Sequence, residues 1–188
     1  MEHPKITAVL IHKENEPYPQ IIMERLDLND FFDEILVVND CPSVYHRYLA
    51  AKTAKNDIIY VQDSDCLVNH QVLFRSYDGR ITNTMTKPFV EKYKDIGCTL
   101  VGWGCYFPKS MLSVFDKYIE RYGIDEHLLR EADRIFTYLN QPFNTVVQPH
   151  EDLASSKNSD RMGYESDHYS SMAQALEKCK ALEEKAPI

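Results

Sequence analysis

The stretch from Ile58 to Asp65 constrains the chain more than any other part of the sequence, because an apolar run there ends on two aspartates one residue apart. Its first residues, Ile-Ile-Tyr-Val, are apolar on both faces of an extended chain, which predicts a strand buried inside a parallel sheet. Open α/β sheets bind ligands at the edge where such strands end. We therefore expect Asp63 and Asp65 to lie at a ligand-binding edge.

The position of this acidic pair carries more weight than the pattern itself. With fifteen aspartates in the chain, two of them one residue apart are expected roughly once by chance. At the end of a buried strand, however, two neighbouring carboxylates repel each other unless a cation or solvent compensates their charge. Hard oxygen ligands with room for water and phosphate suit Mg²⁺ or Mn²⁺, so the pair predicts a metal site.

The first 65 residues predict a β-α-β-α-β order, in which short runs rich in Ile and Val alternate with helical patterns. Right-handed crossovers place the ends of the three strands along one edge. The fold class predicted is α/β, a Rossmann-like α/β/α sandwich with a mostly parallel central sheet. The predicted strands are Ile6–Ile11, Glu34–Asn39 and Ile58–Gln62; one helix follows the prolines at positions 17 and 19, and the other is capped by Ser43 and runs to about Lys55.

Beyond the acidic pair the pattern predicts further elements and one long polar loop. The segment Arg80–Met85 alternates in sidedness, which is typical of an edge strand, and Cys98–Phe107 predicts a strand interrupted by two glycines. The loop lacks periodicity and is long enough for a lid or binding loop. The remaining predictions are a short helix over 87–95, a helix after Pro108, a helix over 126–140, a strand over 145–147, the loop over 148–168 and a terminal helix over 169–184.

Length and composition limit the classes of protein to consider. A chain of 188 residues predicts one domain. No apolar run is long enough to span a membrane and the first residues do not resemble a signal peptide, so we expect a cytoplasmic protein. Five scattered cysteines suggest neither disulfides nor a zinc module. The net charge of −8 disfavours a nucleic acid partner.

Three features carry a resemblance to one class of enzymes: the N-terminal strand, the segment Val37-Val38-Asn39-Asp40 and the D-x-D at 63–65. The chain resembles GT-A nucleotide-sugar glycosyltransferases, particularly the family-2-like ones, over residues 6–152. The resemblance implies a single GT-A domain, with a nucleotide-binding half over 1–66, an acceptor-side half over 67–147, and a lid loop and terminal helix over 148–188. It also implies a UDP-sugar donor bound with Mn²⁺ or Mg²⁺. In such enzymes Asp40 would contact the nucleobase or ribose. Asp63 would contact ribose or metal-bound water, and Asp65 would hold the metal, which neutralises the diphosphate leaving group.

The same resemblance implies roles for residues outside the acidic pair. His12 ends the strand that opens the nucleotide pocket, and the segment Val101-Gly102-Trp103-Gly104 matches the acceptor side, where Trp103 offers a flat face for a sugar or base. His150 would complete the metal shell, and Arg161 in the polar loop would contact the diphosphate. Trp103 in the core, a surface role for His150 and a merely solvated Arg161 are the structural alternatives.

The acceptor hydroxyl needs a base, and inverting members of the class carry an acidic pair for that purpose. Asp133 is the first candidate in this sequence and Glu131 the second. The alternative is that both are solvated charges on an amphipathic helix.

Several functions remain open at this stage. One acceptor is a hydroxymethylated base in DNA, since the layout, including Arg134-Ile135-Phe136-Thr137 and the helix start at Asp167-His168-Tyr169, resembles glycosyltransferases encoded by bacteriophages. Such an enzyme would act in the host cytoplasm. A free saccharide, a lipid-linked sugar or a protein is the alternative acceptor. A local cationic strip would be needed for DNA, and its candidates are Arg75, Arg80, Lys87, Lys92 and Lys94. A nucleotidyltransferase is a competing enzyme class, but the segment after the first strand lacks its glycine-rich phosphate loop. A non-catalytic nucleotide-sugar-binding module is a third possibility.

Overall fold

The computed structural model describes residues 4–12, 18–25, 28–39, 41–93, 96–149, 151–152 and 166–184. The strands are β1 (Ile6–Ile11), β2 (Glu34–Val38), β3 (Ile58–Asp63), β4 (Cys66–Leu67), β5 (Thr82–Met85), β6 (Cys105–Pro108), β7 (Asn144–Val147) and β8 (Glu151–Asp152). The helices are α1 (Tyr18–Arg25), α2 (Leu28–Phe31), α3 (His46–Thr53), α4 (His70–Arg75), α5 (Lys87–Tyr93), α6 (Val114–Tyr122), α7 (Glu126–Leu139) and α8 (Ser166–Glu183), with a 3-10 helix at Lys109–Ser113 before α6.

Six strands form the central sheet in the order β2-β1-β3-β6-β5-β7, and β6 alone among them runs antiparallel to its neighbours. Because β1, β2 and β3 are parallel, their carboxyl ends meet at one edge of the sheet. The start of antiparallel β6 lies at the same edge, where Val61 pairs with Cys105. This arrangement confirms the predicted α/β sandwich with a mostly parallel sheet.

Apolar side chains cover both faces of the sheet, which explains why β1 is buried along its whole length. Residues of β1 alternate between the two cores: Val9 and Ile11 pack with α3, α6, α7 and α8. Ala8 and Leu10 pack on the opposite face with residues of α1 and α4. At about 25 cal/mol per Å² of apolar area removed from water, this two-sided burial is the main stabilising term of the fold.

Three of the predicted strands and helices need correction. Strand β5 is interior rather than an edge strand, because β7 pairs with its outer side and all four β5 residues are buried. Within Cys98–Phe107 only the end is a strand, since the N–H of Gly104 turns back to the carbonyl of Val101 at 3.2 Å and Gly104 has φ of 105°. Helix α3 begins at His46, and its N-terminus has no side-chain cap.

The hydroxyl of Ser43 does not cap α3, because it bonds Nδ1 of His46 at 2.7 Å. The prediction for residues 66–77 was ambiguous, and the structure resolves it into β4 and α4. Strand β4 pairs antiparallel with β8 in a separate two-stranded ribbon. Among the residues that the structure describes, no helix is both long and apolar enough to cross a membrane.

Candidate functional site

Asp63 is the last residue of β3, at the edge where the parallel strands end. Its neighbours on that edge are fixed by backbone hydrogen bonds: Ser64 N–H donates to the Ile11 carbonyl at 2.9 Å, and His12 N–H donates to the Val38 carbonyl at 2.9 Å. The apolar run of β3 ends here because Asp63 is only partly buried and no longer lies between the apolar clusters on the two faces of the sheet. The structure thus places Asp63 and His12 together on the edge predicted from the sequence.

Gly102 lies directly against the Asp63 carboxylate. The N–H of Asp63 donates to the Gly102 carbonyl at 2.7 Å, and a Cβ atom at Gly102 would lie only 2.2 Å from Oδ2 of Asp63 and 3.1 Å from Nη1 of Arg47. Real Cβ atoms do not approach other atoms so closely, so the absence of a side chain at position 102 allows this contact. The glycine therefore serves close packing around the carboxylate.

Arg47 on α3 joins Asp63 to a second carboxylate. Its Nη2 donates to Oδ1 of Asp63 at 2.8 Å, and its Nη1 donates to Oδ2 of Asp133 on α7 at 3.1 Å. The guanidinium is almost fully buried, with a side-chain exposure of 6%. Burial would lower the pKa of Arg47, but Asp133 and Asp63 outweigh it and raise that pKa above its ordinary value. Arg47 is thus a fixed positive charge between the two acids.

Asp133 contacts Tyr48 of α3 as well as Arg47. The hydroxyl of Tyr48, a fully buried side chain, donates to Oδ1 of Asp133 at 2.7 Å. Burial raises the pKa of Asp133 above its usual value, although Arg47 and the Tyr48 hydrogen bond act in the opposite direction. The side chain of Asp133 keeps an exposure of 14%. A partly accessible carboxylate with a raised pKa is a stronger base than an exposed one.

Glu131, the second predicted base, lies in a different environment. It is fully buried and forms an ion pair with Arg134, whose Nη2 donates to the hydroxyl of Tyr93 at 3.2 Å. Its backbone leaves the helical region, with φ of −112° and ψ of 22°, so α7 is kinked there. Two residues later the helix presents Asp133 toward Arg47. Glu131 thus belongs to a buried structural network next to the site.

Trp103 stands in the turn between Gly102 and Gly104. It is partly exposed, and its ring meets Phe89 of α5 edge-on with centroids 4.5 Å apart. At Gly104 a Cβ would lie 2.9 Å from Val68 and 3.0 Å from the hydroxyl of Tyr60, which explains the second glycine. The turn therefore packs tightly against Val68 and Tyr60, while the indole of Trp103 keeps an accessible surface.

Asp65 lies in the turn that connects β3 to the β4–β8 ribbon and is partly exposed. In the ribbon Leu67 pairs with Glu151, which follows His150 in sequence. The predicted residues Asp40, His150 and Arg161 lie outside the described residues. Among the described ones, no group of three His, Cys, Asp or Glu side chains that could hold a metal occurs. Asp65 and Asp63 remain the described oxygen donors at the predicted metal position.

The sequence reasoning missed Arg47 and Tyr48. Periodicity on α3 predicts that Tyr48 faces inward but gives its hydroxyl no role, and a charged residue such as Arg47 on such a helix ordinarily points to solvent. The available signal was the need for a counter-charge near two carboxylates at a sheet edge. Nothing local in the sequence indicated which of the 21 Lys and Arg residues would supply it.

No protein-family model matches the chain, and no curated protein sequence matches it significantly. Its fold resembles solved structures of glucosyl-3-phosphoglycerate synthase from Mycobacterium tuberculosis. The complex with Mn²⁺, UDP and phosphoglyceric acid gives a TM-score of 0.54 at 13% identity, covering 94% of this chain and 78% of that one. The complex with Mn²⁺, UDP-glucose and phosphoglyceric acid gives 0.54 at 13% identity, covering 94% and 80%. The UDP complex gives 0.52 at 14%, with the same coverage as the UDP-glucose complex. At these identities the likeness shows the fold, and it confirms the GT-A architecture.

Proposed function

We propose that the protein is a metal-dependent glycosyltransferase that transfers a sugar from a nucleoside-diphosphate sugar, with a UDP-sugar as the first candidate, to a hydroxyl group. The observation that carries the proposal is the position of the acidic pair: Asp63 ends β3 at the ligand-binding edge and Asp65 follows in the next turn. The fold supports the same function, because the glycosyltransferase structures it resembles were solved with UDP or UDP-glucose, two of them together with Mn²⁺.

The residues at this edge fit a divalent cation. Mg²⁺ and Mn²⁺ take hard oxygen ligands, and Mg²⁺ in particular commonly keeps several waters and binds through one or two carboxylates plus substrate phosphates. Since Oδ1 of Asp63 is engaged by Arg47, we assign the metal chiefly to Asp65, with His150 as a further ligand, and the ribose or a metal-bound water to Asp63. When bound, the metal would neutralise the charge that develops on the diphosphate leaving group.

The nucleotide itself would be held by residues of the same edge. We assign nucleobase or ribose contacts to Asp40 and His12. The Nδ1 atom of His12 is buried and has no hydrogen-bond partner among the described residues, and a buried polar atom of this kind is ordinarily satisfied by a partner such as a ligand or an ordered water. Trp103 supplies an accessible flat face for a sugar ring, and Arg161 a cation for the diphosphate.

Asp133 is the better of the two candidate bases. A carboxylate offers about four lone-pair sites, and Asp133 uses three of them, for two contacts from Arg47 and one from Tyr48. One site on Oδ2 remains for the proton of an acceptor hydroxyl. Glu131 has no exposed surface, which leaves it without access to an acceptor in this conformation.

The acceptor carries a hydroxyl group, and the described residues give little support to the proposal that this hydroxyl belongs to DNA. Of the predicted cationic strip, Arg75 and Lys87 are exposed, whereas Arg80 forms an ion pair with Asp78. The side chains of Lys92 and Lys94 lie outside the described part of the chain. Binding to a DNA backbone depends on several unpaired cations. A hydroxymethylated base in DNA is therefore the less favoured acceptor, and a saccharide the more favoured one.

The decisive experiment is a thermal-shift screen of nucleotide sugars with and without Mn²⁺, followed by a hydrolysis assay with the sugar that stabilises the protein. A donor present at about 100 times its Kd raises the free energy of unfolding by about 2.7 kcal/mol, which is readily measured. We expect a UDP-sugar to stabilise in a Mn²⁺-dependent way and to be hydrolysed slowly. Stabilisation without any turnover would indicate a binding module, and no response to any nucleotide sugar would refute the proposal.

A further inference from the structure

The guanidinium of Arg47 connects two carboxylates that belong to different elements of the fold. One nitrogen bonds Asp63 at the end of β3 and the other bonds Asp133 in α7, 2.8 Å and 3.1 Å away. The two acids are 70 residues apart in sequence, as their numbers 63 and 133 show. A single side chain therefore sets the distance between the donor-side carboxylate and the candidate base.

The Asp63 carboxylate has little freedom beside this contact. Arg47 holds Oδ1 on one side, and on the other side the Cα of Gly102 packs so tightly that a Cβ would lie 2.2 Å from Oδ2. The backbone N–H of Asp63 is also bonded to Gly102. Removing the Arg47 contact thus releases the one side of the carboxylate that is held by a side chain.

Arginine is chemically suited to this bridge, whereas lysine is not. A guanidinium is planar and presents donors in a fixed fork, so it can bond two carboxylates in set directions. An ammonium group is a compact charge at the end of a flexible chain, and it cannot keep both contacts in the same geometry. The substitution of Arg47 by lysine therefore keeps the charge and most of the volume but loses the bridge.

We infer that Arg47 is a positioning residue, which orients the Asp63 carboxylate for the nucleotide and fixes it relative to Asp133. The inference rests on the proposed function, because it presumes that Asp63 contacts the nucleotide. Arg47 itself need not touch the donor or the acceptor; its effect passes through Asp63.

The test measures the Kd for UDP in the presence of Mn²⁺ in the intact protein. For Arg47→Lys we expect the Kd to rise about tenfold, which corresponds to the loss of one well-oriented charge-assisted hydrogen bond. The matched control is Arg80→Lys, the same substitution in an exposed ion pair with Asp78, and its Kd should stay unchanged. A circular dichroism spectrum and thermal unfolding verify that both variants fold.

A double-mutant cycle separates positioning from a general structural role. In an Asp63→Ala background, Arg47→Lys should change the Kd by less than about twofold, because the residue through which Arg47 acts is gone. An equal rise in both backgrounds would show that Arg47 acts independently of Asp63 and would overturn the inference. An unchanged Kd in Arg47→Lys alone would overturn it as well.

If Arg47→Lys does not fold, the pair Arg47→Met with Asp133→Leu replaces the buried ion pair by apolar groups, which proteins often tolerate. A folded double variant that binds Mn²⁺ and UDP as the wild type does would refute the positioning role, and a weakened one would support it. Failure of the wild type to bind UDP with Mn²⁺ would overturn the proposed function together with this inference. Binding by the wild type with equal Kd in Arg47→Lys overturns the inference alone.

Discussion

The substitution Asp133→Asn distinguishes the two roles that its surroundings allow, a catalytic base and a partner of Arg47. Asparagine keeps an oxygen that can accept the Tyr48 hydroxyl, now 2.7 Å away. It removes the negative charge that balances Arg47, while Asp63 remains as a counter-charge at 2.8 Å. The shape of the site is therefore preserved and its charge is changed.

The size of the effect on stability follows from the lost interaction. A hydrogen bond to a charged group contributes about 1.5–3 kcal/mol, and this range is an upper bound here, because the burial that raises the pKa of Asp133 already disfavours its charged form. For a chain of this size about 1 kcal/mol corresponds to roughly 2–4 °C, so we expect Tm to fall by at most about 12 °C. If Asp133 is the base, kcat should fall by about 10² or more, since general-base catalysis contributes 10²–10⁴.

The measurements are thermal unfolding, kcat for sugar transfer or donor hydrolysis, and the Kd for UDP with Mn²⁺. A fall in kcat with little change in Kd supports Asp133 as base. Equal losses in kcat and donor affinity indicate that it acts through Arg47 and Asp63, and an unchanged kcat refutes the assignment. Asp116→Asn is the matched control, because this exposed acid pairs with Lys52, and its Tm should remain close to that of the wild type.

Three further predictions concern the metal, the glycine turn and the helix caps. Asp65→Ala should abolish metal-dependent binding of UDP while the variant still folds, as circular dichroism would show; titration of Mn²⁺ with UDP checks the binding, and normal affinity would remove the proposed metal ligand. Gly102→Ala places a Cβ 2.2 Å from Oδ2 of Asp63, so it should weaken UDP binding and lower the free energy of unfolding by about 1–3 kcal/mol. Unfolding in urea and the Kd for UDP measure the two effects, and wild-type values for both would contradict the prediction. Asp125 caps α7, and although burial raises its pKa, hydrogen bonds from Lys178 of α8 and from the cap backbone N–H outweigh burial and lower that pKa below its usual value. The charged Asp125 therefore stabilises the fold at pH values above its unfolded pKa of about 3.9, and this contribution is lost as the pH falls through the lower folded pKa. In Asp125→Asn the free energy of unfolding, measured against pH, should fall less steeply in acid. An unaltered acid slope would show that other groups control it.

Much of the sheet could be read from the sequence, because strand burial is a local pattern. Strand β1 matches its predicted bounds, and β2 and β3 differ from theirs by one residue each. The prediction for β5 failed for a long-range reason. Its residues alternate in the sequence as those of an edge strand do, and only the pairing with β7, 62 residues later in the chain, covers its outer side.

The candidate site divides in the same way. Asp63 and Asp65 were proposed because their position at a strand end is encoded next to them, and Asp133 because the resemblance to inverting glycosyltransferases implies an acidic base. Its actual environment was not predictable: Asp133 is in contact with Arg47 and Tyr48, 86 and 85 residues away in sequence. Side-chain contacts of this kind depend on how α3 and α7 pack, which periodicity does not specify.

The sequence by itself determined that a two-sided apolar strand ends in an acidic pair at the edge of an α/β sheet. This follows because hydrophobic burial and the end of a strand are properties of adjacent residues. Only the tertiary structure decided that one buried arginine joins Asp63 to Asp133 and that Gly102 closes the other side of the Asp63 carboxylate. A buried charge is stable only with its partners in place, and those partners come together only when helices on one face of the sheet have packed.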